Sequence, residues 1–399
     1  MTHRSVRVRT ALLTAATVTA ALLAGAPPAA ASGAPHITMV VGGLAAPRGI
    51  TFDGRGAMYV AESGVIGVGP VGTTTSGKVD KFRLGHSSPI WSTGFDSLYV
   101  TENPTAPPDV LGPEGLSSLG GRCNSDERGS CPITLIMSES TPGVLAATGG
   151  HVTAPQAGKL YQLDRRTGAA TQKADVGSQM YQFTSDHTSL FPSDFPDSNP
   201  FGVLVTRFGH SDRTRTFVAD AGANTISEIM RNGTARLVAY IPNETSAPFR
   251  DATPTCIAQG PDGYLYVGTL HLVANLIAPG TGGLSDVWRV NPNANFPTAP
   301  TLWASGLTTV TGCTFDRRGN FWATEMFAGG FSATPPGDVV RIPFRHPTVQ
   351  DRFGAGQLAL PGDIAQGPDG AMYVTVGSSA PGVNGAVMRL STGRHHHDD

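Results

Sequence analysis

The sequence predicts an all-β fold, a six-bladed β-propeller with four-stranded blades whose ring is closed by an N-terminal strand that pairs into the last blade. Three observations support this prediction: a hairpin motif that recurs along the chain, strand-like runs that come in sets of four, and chain ends that complement each other. Repeated four-stranded units indicate a propeller because each blade buries its faces only against its neighbours.

The recurring hairpin is clearest in two copies of AQGPDG, at 258–263 and 365–370, each followed by an alternating run that contains Tyr-Val. Related segments at 47–63, 92–103, 200–221 and 311–326 also join two strand-like runs through a Gly or Asp turn, which is typical of β-hairpins. Because Asp and Gly suit tight turns, we expect Asp262 and Asp369 to be structural.

A third alternating run follows each hairpin, and a fourth run leads into the next one. Residues 36–47 look like a fourth strand without its first three, whereas the C-terminal region stops after a third strand at Leu390. Pairing these two segments would leave no blade with an unpaired edge. A single propeller domain is therefore expected over 36–393, with an insertion at 103–157 in the second blade. A pair of β-sandwiches is the alternative fold.

Residues 1–31 have the features of a secretory signal peptide, with basic residues at Arg4, Arg7 and Arg9, an apolar stretch from Ala11 to Leu23 and small residues at 29–31. We expect cleavage after residue 31, a secreted protein and a disordered tail at 394–399. The formal net charge of -2 argues against a nucleic-acid partner. No later run is long enough for a membrane span, and a closed ring makes a monomer the expected state.

The four cysteines indicate disulfides in an oxidising compartment. Cys123 and Cys131 bracket a short polar loop, so this pair is expected to be bonded. Cys256 and Cys313 occupy equivalent parts of successive repeats, where they are either bonded or two small buried side chains.

Several segments, in a fixed order, resemble the ScyD/ScyE family of secreted six-bladed propeller proteins: SNPFGVL (198–204), FVADAGANTISEI (217–229), PTCIAQGPDGYLYVGTL (254–270), DVWRVNP (286–292) and GDVVRI (337–342). The likeness covers nearly all of the chain after the signal peptide and is best from Asn199 to Leu390. It implies export and a propeller, but no established reaction. The family is loosely similar to NHL and SMP-30/gluconolactonase-like propellers, some of which use a divalent metal at the channel mouth. The insertion at 103–157 departs from the family pattern.

Long connections between second and third strands are expected on one face of the ring, at 62–77, 103–157, 269–285, 325–337 and 376–385. Loops on a rigid scaffold are where binding function normally resides. The residues that end the second strands should lie on this face: Glu62, Glu102, Asp220, Thr269, Glu325 and Val376. Near them should lie the starts of the innermost strands and part of one long connection: Arg48, Asn199, Thr255, Thr311, Asp363, Asp186 and His187.

Two interpretations of these polar residues are open. In the first, a divalent cation such as Ca²⁺ is bound at the channel mouth by the oxygens of Glu62, Asn199, Asp220, Glu325 and Asp363. His187 or a free carboxylate would then act as a base. In the second, the acids accept hydrogen bonds from loop N–H groups or pair with Arg48, and His187 is an ordinary loop histidine.

Two functions correspond to these interpretations. The first is a binding protein that presents long loops to an extracellular small molecule, glycan or protein partner without catalysis. The absence of a recognisable catalytic motif in the sequence favours it. The alternative is a metal-assisted hydrolase or lyase, lactonase-like or esterase-like, with its cation at the channel mouth. Only fold analogy supports that alternative.

Overall fold

In four blades an aspartate-containing turn joins the first and second strands, and its carboxylate accepts hydrogen bonds both from the turn and from an aromatic residue of the second strand. Asp262 accepts a hydrogen bond from the backbone N–H of Tyr264 at 3.1 Å and from the hydroxyl of Tyr266 at 3.1 Å. Satisfying a turn N–H in this way favours the tight turn. The pairing of a turn aspartate with a second-strand aromatic recurs in three other blades: Asp53 with Tyr59, Asp316 with Trp322, and Asp369 with Tyr373.

The computed structural model describes residues 35–100, 109–120, 123, 131–190, 196–208, 213–244, 250–277, 282–328, 336–380 and 382–391. The described strands form six sheets that are the blades of a ring, so the predicted six-bladed β-propeller is confirmed.

The chain enters with β1 (His36–Leu44) and then builds the blades in order. Blade 1 contains β2 (Pro47–Phe52), β3 (Met58–Glu62), β4 (Val71–Phe82), β5 (Trp91–Val100) and the short β6 (Asp109–Leu111). Blade 2 contains β7 (Pro113–Ser117), β8 (Ile133–Met137), β9 (Lys159–Leu163) and β10 (Ala170–Asp175). Blade 3 contains β11 (Pro200–Arg207), β12 (Thr214–Asp220), β13 (Thr225–Ile229) and β14 (Ala235–Tyr240).

Blade 4 contains β15 (Pro254–Gln259), β16 (Leu265–Thr269), β17 (Ser285–Val290) and β18 (Thr301–Leu307). Blade 5 contains β19 (Val310–Phe315), β20 (Asn320–Glu325), β21 (Gly337–Pro343) and β22 (Asp351–Leu358). Blade 6 contains β23 (Ile364–Gln366), β24 (Met372–Val376), β25 (Gly385–Ser391) and β1. The described helices are α1 (Thr141–Ala147), α2 (Val176–Asp186), α3 (Leu272–Ile277) and a 3₁₀ turn at Thr188–Leu190. None of these helices is long and apolar enough to cross a membrane.

The ring closes as the sequence predicts, through antiparallel pairing of β1 with β25. Ile37 lies opposite Leu390, and Val41 lies opposite Val387. Val41 is also buried in an apolar cluster with Ile50 of the first blade. The closing strand therefore completes blade 6 by backbone hydrogen bonds and joins it to blade 1 by apolar packing.

The hydrophobic core lies between the blades, where each pair of neighbouring sheets buries its own cluster of side chains. In the cluster between blades 4 and 5, for example, Val287 and Phe321 are completely buried. Equivalent clusters fill the other five interfaces around the ring. Each Å² of apolar surface buried at these interfaces stabilises the folded state by about 25 cal/mol. Because every blade shares such interfaces with two neighbours, the ring is expected to unfold as one cooperative unit.

The predicted boundaries of the second blade are wrong. Segment 92–103 is not the first hairpin of blade 2, because β5 pairs with β4 and belongs to blade 1. The first two strands of blade 2 are instead β7 and β8, which pair with each other. Residues 103–157 are thus not one insertion: they include β6, β7 and β8, and the true second-to-third connection of this blade is 138–158.

The connections between second and third strands enlarge one face of the propeller. At this face β4 and β5 extend beyond the blade, with Val71 opposite Val100, and β6 adds to β5. The extension packs against α1 through Leu98, Leu111 and Val144. We call this extension of β4–β6, together with α1, the cap lobe.

Both cysteine pairs form disulfides. Cys123–Cys131 links two positions in the connection between β7 and β8, at a sequence separation of 8. Cys256–Cys313 has a sequence separation of 57 and joins β15 to β19, the innermost strands of blades 4 and 5. The first pair confirms the predicted local disulfide, and the second decides between the two alternatives left open by the sequence.

The two disulfides should differ in their effect on stability. Loop-closure entropy predicts that removing Cys256–Cys313 lowers the free energy of unfolding by about 4 kcal/mol, against about 2.5 kcal/mol for Cys123–Cys131. Urea denaturation of two double variants, Cys256→Ala with Cys313→Ala and Cys123→Ala with Cys131→Ala, measures both losses. An equal or larger loss in the Cys123/Cys131 variant would contradict the prediction.

Candidate functional site

A cavity of about 320 Å³ occupies the centre of the ring and is lined by the innermost strands of all six blades. In four of these blades the innermost strand approaches its neighbour closely because its third residue is a glycine: Gly49, Gly115, Gly202 and Gly312. A Cβ on Gly49 would come within 2.3 Å of the Glu114 carbonyl oxygen, and one on Gly115 within 2.5 Å of the Phe201 carbonyl oxygen. Glycine at this position therefore allows the strands to surround a narrow cavity.

Arg48 is the second residue of β2 and lines this cavity with its buried guanidinium. Its Nε donates to the carbonyl oxygen of Ser378 at 3.2 Å, and Nη1 donates to Glu114 Oε2 at 3.1 Å. Nη2 donates to Asp109 Oδ1 at 2.6 Å, so the cap lobe reaches the cavity through β6. Burial alone would lower the pKa of Arg48, but the two carboxylates outweigh this effect and raise it.

Glu114 is the central acid of the site, and the sequence analysis missed it. It is the second residue of β7, as Arg48 is of β2, and its buried carboxyl lines the cavity. Burial raises the pKa of Glu114 to about 7, against the lowering effect of Arg48. The segment PEGL (113–116) repeats the pattern of PRGI (47–50), and that match would have located both the strand and the acid.

Asp363 supplies the second carboxylate of the cavity and was predicted to lie there. It precedes Ile364 as Gly49 precedes Ile50, so it stands at the position that is glycine in most blades. Its carboxylate accepts hydrogen bonds from the backbone N–H of Ile50 at 3.1 Å and of Ile364 at 2.8 Å. Burial raises the pKa of Asp363 to about 7.

Thr255 and Thr311, which the sequence analysis placed near the loop face, line the cavity wall. The hydroxyl of Thr255 donates to the carbonyl oxygen of Val310 at 2.7 Å, and that of Thr311 donates to the carbonyl oxygen of Pro361 at 2.9 Å. Both hydroxyls therefore bond the innermost strand of one blade to the chain that enters the next.

The predicted acids at the ends of second strands are buried and hold the chain that enters their blades. Glu62 Oε2 accepts from Ala45 N at 2.7 Å, and Glu325 Oε1 accepts from Thr308 N at 2.8 Å. Asp220 Oδ1 likewise accepts from the backbone N–H of Asn199 at 2.8 Å. Burial raises the pKa of Glu62 to about 7, of Asp220 to about 6 and of Glu325 to about 8.

Three other predicted residues take different places. The side-chain oxygen of Asn199 accepts from Glu139 N at 3.0 Å. Glu102 lies outside the described residues, and the register of β7 with β8 puts Met137 at the end of the second strand in blade 2, so that assignment of Glu102 is wrong. His187 caps the C-terminus of α2: its Nδ1 bonds the Phe183 carbonyl oxygen at 2.8 Å.

The predicted metal ligands do not come together. Within the described part of the chain, no group of three or more His, Cys, Asp and Glu side chains has the geometry to hold a metal ion. Glu62, Asp220 and Glu325 each have separate backbone partners, and only Asp363 of the predicted set lines the cavity. The described residues therefore do not fit a calcium site made of these five ligands.

Solved structures share the propeller fold. A proposed oxidoreductase (glucose dehydrogenase) from Thermus thermophilus aligns with 90% of this chain and 100% of its own length, at a TM-score of 0.51 and 14% identity. The soluble aldose sugar dehydrogenase from Escherichia coli aligns with 90% of this chain and 100% of its own, at a TM-score of 0.50 and 12% identity. At such identities the likeness shows the fold alone. No family model and no curated protein matches the chain.

The raised carboxyl pKa values predict that stability falls as the solution becomes alkaline. At pH 6.5 the folded chain carries protons on Glu62, Glu114, Glu325 and Asp363 that the unfolded chain has already lost, and it releases them as the pH rises toward 8.5. Because the folded state binds more protons in this window, its free energy of unfolding decreases with pH. The buried His271, whose pKa burial lowers to about 4, is neutral in the folded chain but partly protonated in the unfolded chain near pH 6.5. This one group opposes the trend at the lower end of the window, and its effect disappears above about pH 7.5.

Thermal denaturation at a series of pH values measures this effect, and we expect Tm to fall by several degrees from pH 6.5 to pH 8.5. Glu325→Gln should reduce the slope. Glu228→Gln is the matched control: Arg215 and Arg236 outweigh burial and lower the pKa of Glu228, so this variant should leave the slope unchanged. A flat or rising Tm over this range would contradict the prediction that these buried carboxyl groups are protonated in the folded chain at pH 6.5.

Proposed function

We propose that this chain is a secreted binding protein that holds an extracellular small molecule in the central cavity of its propeller. The observation that carries the proposal is a cavity of about 320 Å³ that all six blades line, with Arg48, Glu114 and Asp363 in its wall. Small-molecule sites are concave and preformed, start at about 300 Å³, and combine apolar walls with a few placed polar groups.

The charged residues support a ligand site because the fold does not need them. At the position of Arg48 and Glu114, blades 3, 4 and 5 have Phe201, Thr255 and Thr311. A neutral side chain therefore suffices to build an innermost strand. Burying ionisable groups is costly unless they are paired, and such groups concentrate at functional sites.

The cavity also favours a small molecule over the other partners considered. Its walls are strand edges and short side chains, and its volume accommodates a compact molecule rather than a folded protein surface. The cap lobe lies beside it, since Asp109 of β6 contacts Arg48. A glycan chain or protein partner would instead have to dock on the outer loops.

Export, a monomeric state and membership of the ScyD/ScyE family are parts of this proposal. The two disulfides are compatible with an extracellular location, where such bonds persist. The features of residues 1–31 support export, and the resemblance from Asn199 to Leu390 supports the family. The metal-assisted hydrolase or lyase would require converging ligands that the described residues do not provide, so our proposal includes no catalytic metal.

Filling the cavity should abolish binding without disturbing the surface. Thr314 is a half-buried residue of the cavity wall, and Thr314→Trp would place an indole in the ligand volume. Thr171→Trp is the matched control, because Thr171 is exposed on β10, away from the cavity lining. A thermal-shift screen of the mature chain against extracellular metabolites would supply ligands, and calorimetry would compare the variants.

We expect Thr314→Trp to weaken each ligand by at least about tenfold, because overpacking leaves it no room, and Thr171→Trp to leave affinity unchanged. Ligands that bind Thr314→Trp as well as the unmodified chain would place the site elsewhere and overturn the proposal. A screen that yields no ligand at all would also count against it.

A further inference from the structure

The cavity contains three ionisable groups, and their charges do not balance. Arg48 supplies one positive charge, whereas Glu114 and Asp363 supply two negative charges when ionised. The positive charge is already used: Arg48 forms ion pairs with Glu114 at 3.1 Å and with Asp109 at 2.6 Å. Among the residues that the structure describes, none supplies a counter-charge to the carboxylate of Asp363.

The surroundings of Asp363 leave part of its carboxylate available. It accepts two backbone hydrogen bonds, from Ile50 to Oδ2 and from Ile364 to Oδ1. A carboxylate has about four acceptor sites, so two remain. No cationic side chain among the described residues forms an ion pair with Asp363, and the group is partly accessible from the cavity that it lines.

The position of Asp363 in the blade shows that its carboxylate is not a requirement of the fold. Glycine occupies the equivalent position in four other blades: Gly49, Gly115, Gly202 and Gly312. The Asp363 backbone is so close to its neighbour that a Cβ on Gly312 would lie 2.5 Å from the Asp363 Cα. Most blades therefore have glycine at this crowded position, and blade 6 has the larger Asp363 there instead.

We infer that Asp363 determines specificity in this cavity by pairing with an ammonium group, and that the ligand is a small polar organic cation. The inference rests on the proposed binding function and deepens it by naming the class of ligand. An ammonium N–H would donate to the free acceptor sites of Asp363 and supply the missing positive charge. Charge-assisted hydrogen bonds of this kind are the strong ones.

The rest of the wall suits the same ligand. Phe201 lines the cavity, and an aromatic ring attracts cations through its face. A carboxylate ligand would face Asp363 and Glu114, with Arg48 already engaged, so like-charge repulsion disfavours it.

Three probes that differ in one group test the inference on the full mature chain. They are trans-4-aminocyclohexanol, cyclohexane-1,4-diol and 4-hydroxycyclohexanecarboxylate, which carry an ammonium, a hydroxyl and a carboxylate on the same ring. Calorimetry at neutral pH should show the amine binding at least about tenfold more tightly than the diol, and the carboxylate binding more weakly still.

Two substitutions remove the charge in different ways. Asp363→Asn keeps the size of the side chain, and Asp363→Gly restores the residue found in four other blades, so it should fold. Each should remove the preference for the amine. The control is Asp369→Asn, which deletes a negative charge from the hairpin turn of the same blade, outside the cavity lining. It should leave amine affinity unchanged.

The outcomes separate this inference from the proposed function. If the diol or the carboxylate binds as tightly as the amine, or if both Asp363 variants retain the amine, Asp363 does not select a cation. Failure of all three probes would also overturn the inference. The proposed binding function is tested separately, by whether Thr314→Trp prevents binding of the ligands found in the wider screen.

Discussion

The pairing of β1 with β25 is the interaction on which the rest of this structure depends. A propeller blade has two faces to bury and two edges to protect, and a linear array of six would leave both end blades exposed. By supplying the outer strand of blade 6 from the start of the chain, the fold converts that array into a ring. Separation of β1 would uncover an edge and one of the six apolar interfaces at once.

Ring closure also fixes the geometry of the cavity. Once six blades must meet around one axis, the innermost strands lie close together, and a glycine as the third residue of this strand in four blades makes the close approach possible. The residues just before those glycines then share one level of the wall. Arg48 and Glu114 are neighbours at that level, although 66 residues separate them in the sequence. Their ion pair is thus a consequence of the blade repeat and not of any local motif.

Local patterning explains what could be predicted of the fold and what could not. Alternating apolar residues and Gly/Asp turns mark each hairpin, and complementary ends mark the closure, so blade number and ring topology followed from the sequence. The second blade was misplaced because β5 alternates as a first hairpin strand would, and the sequence does not show that β4 extends to pair with it. That error hid β7, and with it Glu114.

Prediction of the site was limited by a different ambiguity. An acid at the end of a strand is equally suited to hold a ligand or to accept backbone hydrogen bonds, and only three-dimensional neighbours distinguish these uses. The buried carboxyl groups of Glu62 and Glu325 each accept a hydrogen bond from a backbone N–H of the segment that enters the same blade. Asp363 directly precedes the innermost strand of blade 6, so its carboxylate lines the cavity. Position within the blade, more than residue type, therefore decides which acids stabilise the ring and which remain available to a ligand.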